Sequence, residues 1–371
     1  MRYCRTGTMR IEELDTPAVV IDLDIMDSNL ARMADYAKSK SIALRPHSKT
    51  HKIPDIAKAQ IAGGACGIVV AKPGEARVMA EGGVNNIMIG YPLVTPAKAA
   101  TAAELARKET ICVSLDSPEA VKALGDAAEN NGSRIGVLVE IDVGFHRCGV
   151  EKPQQAVTLA RETMRHANLD FLGLMFYPGH LAKPPEEQPP FIAEVNRILD
   201  SFYQAFRNER IDIKVVSGGS TPTAYRSHEF MGVTEIRPGM YLLNDGNLVR
   251  LGVSKLEDCA LDVLVTVAST AVPGRAIIDG GSKTFSSDRS KGDKSVFGIV
   301  REDPDTDFVA LSEEHGHFDI SGSHRTFHVG ERLRILPNHV CATVNLHDRL
   351  YGYRNGVVEH VWNIAGRGKV Q

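Results

Sequence analysis

Between Ala18 and Ser217 the chain repeats one pattern, a short apolar run followed by an amphipathic stretch of helical period. Runs at Ala18–Leu23, Ile42–Pro46, Gly67–Ala71, Asn86–Gly90, Ile111–Leu115, Ile135–Asp142, Phe171–Phe176 and Lys214–Ser217 read as strands. Met26–Lys38, Pro73–Glu81, Pro96–Lys108, Pro118–Asn130 and Pro153–His166 read as helices. Four of these open on proline, whose missing N–H costs little in a first helical turn. Parallel strands need such crossovers, because the chain must return to the same end of the sheet. Eight strands spaced about 20 to 40 residues apart predict a TIM-type (β/α)8 barrel. A doubly wound open sheet shares the local pattern and stays open as the structural alternative.

Past about residue 250 the texture changes. Ala260–Thr266, Arg275–Asp279, Arg332–Leu336 and Val357–Trp362 are short and β-rich, separated by turn residues, with no strong helix. The expected architecture is therefore α/β, a barrel over residues 14–249 followed by an all-β domain over 250–371, joined by residues 1–13. Ser282–Asp293 is polar and reads as a loop. Forty-three lysines and arginines against 46 aspartates and glutamates leave a net charge of −3, with no basic field to draw nucleic acid or an acidic membrane. No apolar run reaches a membrane span, and the N-terminus lacks the apolar core of a secretion signal. Six scattered cysteines without a CxxC pair fit neither a disulfide framework nor a zinc ribbon. A reduced, cytoplasmic setting is the expectation.

The most informative stretch is IALRPHSKTHK, Ile42–Lys52. Ile42 and Leu44 share the parity that faces the helices, whereas Arg45, His47 and Lys49 share the inward one if the extended phase persists past Pro46. Lys49 is then a lysine inside the barrel near its C-terminal rim, where barrel enzymes keep their sites. Desolvation and a neighbouring guanidinium would both favour the neutral, nucleophilic amine. Lys52 has the opposite phase. A basic surface loop is the alternative from spacing alone.

DTPAVVIDL followed by RPHSKTHK resembles the fold-type III pyridoxal-phosphate enzymes, in the branch of D-threonine aldolases, eukaryotic-type D-serine dehydratases and 3-hydroxy-D-aspartate lyases. The resemblance runs from Asp15 to His347. It implies that Lys49 carries pyridoxal 5'-phosphate as a Schiff base. In EIDVGFHRCGV it places Arg147 near the cofactor's phenolic oxygen or a substrate carboxylate, and in LMFYPGH it places Tyr177 beside the pyridine ring, with His180 matching a proposed base. SGGSTPT supplies a phosphate loop of Ser217, Gly218, Gly219, Ser220 and Thr221, completed by the backbone of Gly239 and Met240 in EIRPGMY. In alanine racemase relatives an arginine at the Arg237 position faces the pyridine nitrogen. A homodimer is also implied.

In PNHVCATVNLHD, His339, Cys341, Thr343, Asn345 and His347 alternate with apolar residues, so a strand would carry them on one face. His339 and Cys341 are then the candidate ligands of a divalent metal, Zn²⁺ or Mn²⁺, with positions left open for substrate or water. A polar strand face with a buried cysteine is the plain alternative. The resemblance associates His-x-Cys with zinc in the dehydratases and His-x-Asp with a manganese-type ion in the aldolases, a contrast of soft thiolate and hard carboxylate. Either a D-threonine aldolase, giving glycine and acetaldehyde from a D-3-hydroxy amino acid, or a D-serine or 3-hydroxy-D-aspartate dehydratase follows. A racemase and a non-catalytic cofactor carrier are the further alternatives.

Overall fold

A computed structural model describes residues 9–291 and 294–371, so most of the 1–13 connection lies outside the described residues. The chain forms two compact units, one from Arg32–Gly239 with Gly368–Gln371, the other from residues up to Ala31 with Met240–Arg367. In chain order the elements begin with β1 (Ala18–Asp22) and α1 (Leu23–Ser39). They continue with β2 (Ala43–Leu44), α2 (Pro54–Ala62), β3 (Ile68–Val70), α3 (Pro73–Glu81), β4 (Ile87–Ile89) and α4 (Pro96–Leu105). Then come β5 (Ile111–Leu115), α5 (Pro118–Asn131), β6 (Ile135–Ile141), α6 (Pro153–Arg165), β7 (Leu169–Phe176), α7 (Pro189–Asn208), β8 (Val215–Gly218) and β9 (Glu235–Ile236).

Strands β2 to β9 form one parallel sheet in the order β2-β9-β8-β7-β6-β5-β4-β3. It closes on itself: the Leu44 carbonyl accepts from the Cys66 N–H and the Pro46 carbonyl from the Val69 N–H, both at 2.8 Å. Strand alternation divides the packing. Ile68, Val70, Ile87, Ile89, Val113, Val137, Val139, Leu174 and Phe176 face outward into the core shared with the helices. Val69, Met88, Cys112, Leu138 and Met175, one step out of phase, fill the interior as a separate cluster. Helices α2 to α7 each open on proline. In α7 the buried positions Ile192, Val195, Leu199, Phe202 and Phe206 follow the helical period, each such burial contributing about 1.5–3 kcal/mol.

The expected first barrel strand is not one. β1 pairs antiparallel with β10 (Leu261–Ser269) and parallel with β16 (Arg349–Arg354), in the other unit. Its AVVI run is apolar on both faces and suits the middle of either sheet. The eighth barrel place goes to β9, a Glu-Ile pair before Arg-Pro, too short and polar to stand out as a run.

The second unit adds β11 (Arg275–Ile278), β12 (Gly298–Val300), β13 (Asp307–Leu311), β14 (Gly316–Asp319), β15 (Arg332–Pro337) and β17 (Val357–Asn363). Their order is β13-β14-β11-β10-β1-β16-β17, with β15 also joined to β10 and β12. The four expected β-segments are all strands. The unit is not purely β, however, since it holds α8 (Gly246–Arg250), α9 (Ser282–Phe285) and α10 (Val340–Leu346). α9 occupies the start of the expected loop, whose residues 292–293 lie outside the described residues.

α10 corrects the strand expected over Pro337–Asp348. Val340, Thr343 and Val344 are buried, a spacing of three and four rather than two. Ala342 is only half-buried and Leu346 is exposed, so the apparent alternation does not sort inside from outside.

Candidate active site

Lys49 lies in a 3-10 turn, Ser48–Thr50, rather than on an extended strand. His47 caps this turn, its Nδ1 accepting from the Lys49 N–H at 3.3 Å. Lys49 is half-buried between buried Ser48 and Thr50. Ser48 Oγ donates to the Val69 carbonyl at 3.0 Å, pinning the turn to β3. His51 is fully buried: its ring pairs with Gln60 Oε1 at 3.2 Å and its Nδ1 accepts from the Ile53 N–H at 3.1 Å. Burial pushes its pKa down to about 4, so it is neutral.

Charge gathers around this turn. His47 is held well below its ordinary pKa by burial first, then by the cations of Lys49, Arg237 and Arg147. Arg147 stands over the Tyr177 ring, its guanidinium carbon 4.4 Å from the centroid, and Phe145 meets Tyr177 edge-on at 5.3 Å. Glu140 lies 4.0 Å from Arg147 and is pushed above the usual carboxyl range by burial, against the pull of Arg237 and Arg147. Arg237 is buried and lowered to about 10, desolvation being the leading cause. Its Nη1 donates to Ser217 Oγ at 2.7 Å and its Nη2 to the Phe176 carbonyl at 2.8 Å. Ser217 Oγ in turn donates to Glu235 Oε1 at 2.6 Å, and Glu235 Oε2 accepts from Arg45 Nε at 2.7 Å. The Ser217 hydroxyl thus lies between Arg237 and Glu235.

The rest of the expected phosphate loop is braced from within. Ser220 places its N–H and its hydroxyl each 3.2 Å from Thr223 Oγ1. Thr221 Oγ1 accepts from the Gly239 N–H at 3.2 Å, which joins the two segments paired in the sequence reading. Gly239 also lies against the lysine turn: a Cβ there would come within 2.9 Å of Thr50 Oγ1 and 3.0 Å of the His47 carbonyl. Gly219 has φ +89, and a Cβ on Gly218 would lie 2.2 Å from the Phe176 ring, so both must be glycine. Met240 opens a further turn, its carbonyl accepting from the Asn244 N–H at 2.6 Å. Glycine cradle, half-buried lysine and converging cations fit an anionic, carbonyl-bearing cofactor such as pyridoxal phosphate.

His180 sits in the turn Gly179–Leu181 after β7. Its Nδ1 is buried with no hydrogen-bond partner, and burial holds the ring below its ordinary pKa despite Asp142. Asp142, His146 and Glu151 are, among the described residues, the one group of three whose ligand atoms lie close enough to share a cation. Asp142 is already occupied, accepting three backbone N–H groups at 3.0 Å and meeting His146 Nδ1 at 2.6 Å.

His339 and Cys341 come together at the head of α10. His339 is the N-cap residue, and its pKa is raised to about 9, first by a hydrogen bond with Cys341. Asp288 Oδ2 lies 2.8 Å from His339 Nδ1, a contact that orients the ring. Asn338 ties the Asp288 loop down, donating to the Asp288 carbonyl at 3.0 Å and the Val296 carbonyl at 2.6 Å. Asp245, fully buried and pushed up to about 6 by desolvation, accepts from the Val340 N–H at 3.4 Å. His347 stands apart, its Nε2 donating to the Thr284 carbonyl at 3.0 Å. A histidine and a cysteine, with a carboxylate behind the histidine, are donor types that fit a divalent metal. The sequence reading missed Asp288, Phe145 and Glu140. The Ser282–Asp293 segment read only as a polar loop, with nothing in it that singled out Asp288.

Comparison with known proteins agrees with this layout. Residues 21–245 match the model "Alanine racemase, N-terminal domain", and residues 260–353 match "Putative serine dehydratase domain". A D-threonine aldolase of an Arthrobacter species is 34% identical over 96% of this chain and 94% of its own. The D-threo-3-hydroxyaspartate dehydratase of Delftia sp. HT23 is 34% identical over 89% and 92%. The crystal structure of D-threonine aldolase from Filomicrobium marinum superposes with a TM-score of 0.93 at 32% identity over all of both chains. No helix among the described residues is long and apolar enough to cross a membrane. Closed barrel, β-rich second unit and matched lengths together make this chain a member of the alanine racemase-like, fold-type III pyridoxal-phosphate family, in the branch that holds the D-threonine aldolases and the D-serine and 3-hydroxyaspartate dehydratases.

Proposed function

We propose that the protein is a pyridoxal-phosphate- and divalent-metal-dependent lyase of D-3-hydroxy amino acids, cleaving D-threonine to glycine and acetaldehyde. The observation that carries the reaction type is His180, whose buried Nδ1 has no hydrogen-bond partner and whose pKa burial lowers. Retro-aldol cleavage needs a base for the substrate's 3-hydroxyl in addition to the cofactor lysine, and a neutral imidazole suits that task. The near-complete coverage shared with named D-threonine aldolases supports the same reading.

In this proposal Lys49 is the attachment point of the cofactor. The Ser217–Thr221 loop would receive its phosphate, with the Gly239 N–H holding the Thr221 side chain in place. Tyr177 and Arg147 hold the ring side, Arg147 also offering its fork to a carboxylate. When bound, pyridoxal phosphate supplies an electron sink for the electron pair released at the substrate's Cα. His339 and Cys341 would hold a divalent metal, a source of Lewis acidity for an alcohol.

Cys341 favours a second reading, dehydration to a 2-oxo acid and ammonia, because a thiolate ligand is the pattern associated with the dehydratases. One experiment separates the two. The enzyme is incubated with pyridoxal phosphate, Zn²⁺ or Mn²⁺, and D-threonine, and the products are identified. Glycine with acetaldehyde supports the aldolase, whereas 2-oxobutanoate with ammonia overturns it for the dehydratase.

A further inference from the structure

Lys52, the last residue of the RPHSKTHK stretch, is 7% exposed and adopts φ +57, a left-handed conformation that any residue with a Cβ resists. Its Nζ lies 3.0 Å from Glu75 Oε1, the two side chains being 8% and 3% exposed. Glu75 is buried in the first turn of α3, and its Oε2 accepts from the Ala71 N–H at 2.7 Å. One carboxylate therefore ties the residue three positions after Lys49 to the loop that leaves β3. Stability alone does not call for this arrangement, since a buried ion pair can commonly be replaced by apolar groups without loss. Asparagine or glycine would also fit the left-handed position with less strain.

The tie completes a frame around Lys49. Upstream, Ser48 Oγ holds the Val69 carbonyl; downstream, the Lys52 N–H donates to the Ser48 carbonyl at 2.7 Å and closes the turn. His51 is locked between Gln60 and the Ile53 N–H. Lys49 is thus the half-buried member of a turn whose flanking residues are fixed to β3, α2 and α3. We propose that Lys52 and Glu75 are a positioning pair, which sets the pose of the Ser48–Thr50 turn and thereby the reach of the Lys49 amine to the cofactor carbonyl. This rests on the assignment of Lys49 as the attachment point.

The test uses the full chain with pyridoxal phosphate and the variants Lys52→Met, Lys52→Arg, Glu75→Gln and Lys49→Ala. Glu75→Gln keeps the shape and an oxygen for Ala71 while removing the charge. The readouts are cofactor dissociation constant, the visible band of lysine-bound cofactor, and the share of cofactor trapped on the Lys49 peptide by borohydride. Circular dichroism reports the fold separately. Lys52→Met and Glu75→Gln are expected to stay folded, to weaken cofactor binding by about ten- to a hundredfold, and to lose much of the trapped adduct, as small misplacements of a reacting group do. Lys52→Arg is expected to restore part of both. Folded Lys52→Met with unchanged affinity, band and adduct overturns the proposal; should that variant not fold, the same results in Glu75→Gln overturn it. Persistence of the band in Lys49→Ala overturns the Lys49 assignment instead.

Discussion

Removing the carboxylate behind His339 should weaken the metal site proposed at His339 and Cys341 without changing either residue. Asp288 Oδ2 is 2.8 Å from His339 Nδ1, so in Asp288→Ala the imidazole loses the partner that orients it. Partners of this kind are worth about 10- to 100-fold in metal affinity. The His339 and Asp288 side chains are 41% and 45% exposed, so water replaces part of the lost interaction. The lower end of that range, about tenfold or ~1.4 kcal/mol, is therefore expected. Asp288→Asn, which keeps an acceptor oxygen but no charge, should lose less. The assay is competition for Zn²⁺ against a chromophoric chelator at fixed pH, with cofactor loading and circular dichroism as controls. An Asp288→Ala protein that is folded and binds zinc with unchanged affinity would refute the reasoning, and His339 would then owe its orientation to the head of α10 alone.

Two further outcomes follow from the same geometry. Cys341→Asp replaces a soft thiolate with a hard carboxylate, so the ratio of Mn²⁺ to Zn²⁺ affinity should rise, measurable in the same competition assay; an unchanged ratio would remove Cys341 from the ligand set. His51 has its pKa lowered from 6.5 to about 4, so the unfolded chain takes up a proton that the folded chain refuses as pH falls through this interval. Stability should decline between pH 6.5 and 4, His51 accounting for up to about 3 kcal/mol, and His51→Gln should flatten that decline in denaturant unfolding measured at several pH values.

Much was legible from local pattern. Prolines marked the starts of α3 to α6, because that signal depends on residues adjacent in the chain. Lys49 and the His339/Cys341 pair stood out through residue type and spacing. Their local conformations did not: Lys49 proved to sit on a 3-10 turn and His339 to cap a helix. In the 339–347 segment a period of two in composition overlay a period of three and four in burial, and only packing against neighbours such as Phe285 decides between them.

By itself the sequence determined which residue types offer chemistry and which class of sheet the first two-thirds must build, since side-chain chemistry and amphipathic period are properties of the chain. Tertiary structure alone decided who meets whom. It moved the AVVI strand beside β10 and β16, since an all-apolar run is buried on both faces in either sheet and its partners lie 240 or more residues away. It turned the Ser217 hydroxyl to Arg237 and Glu235, brought Asp288 behind His339, and bound Lys52 to Glu75. Each of these contacts joins residues distant in sequence, and no local propensity encodes a partner that only folding brings within 3 Å.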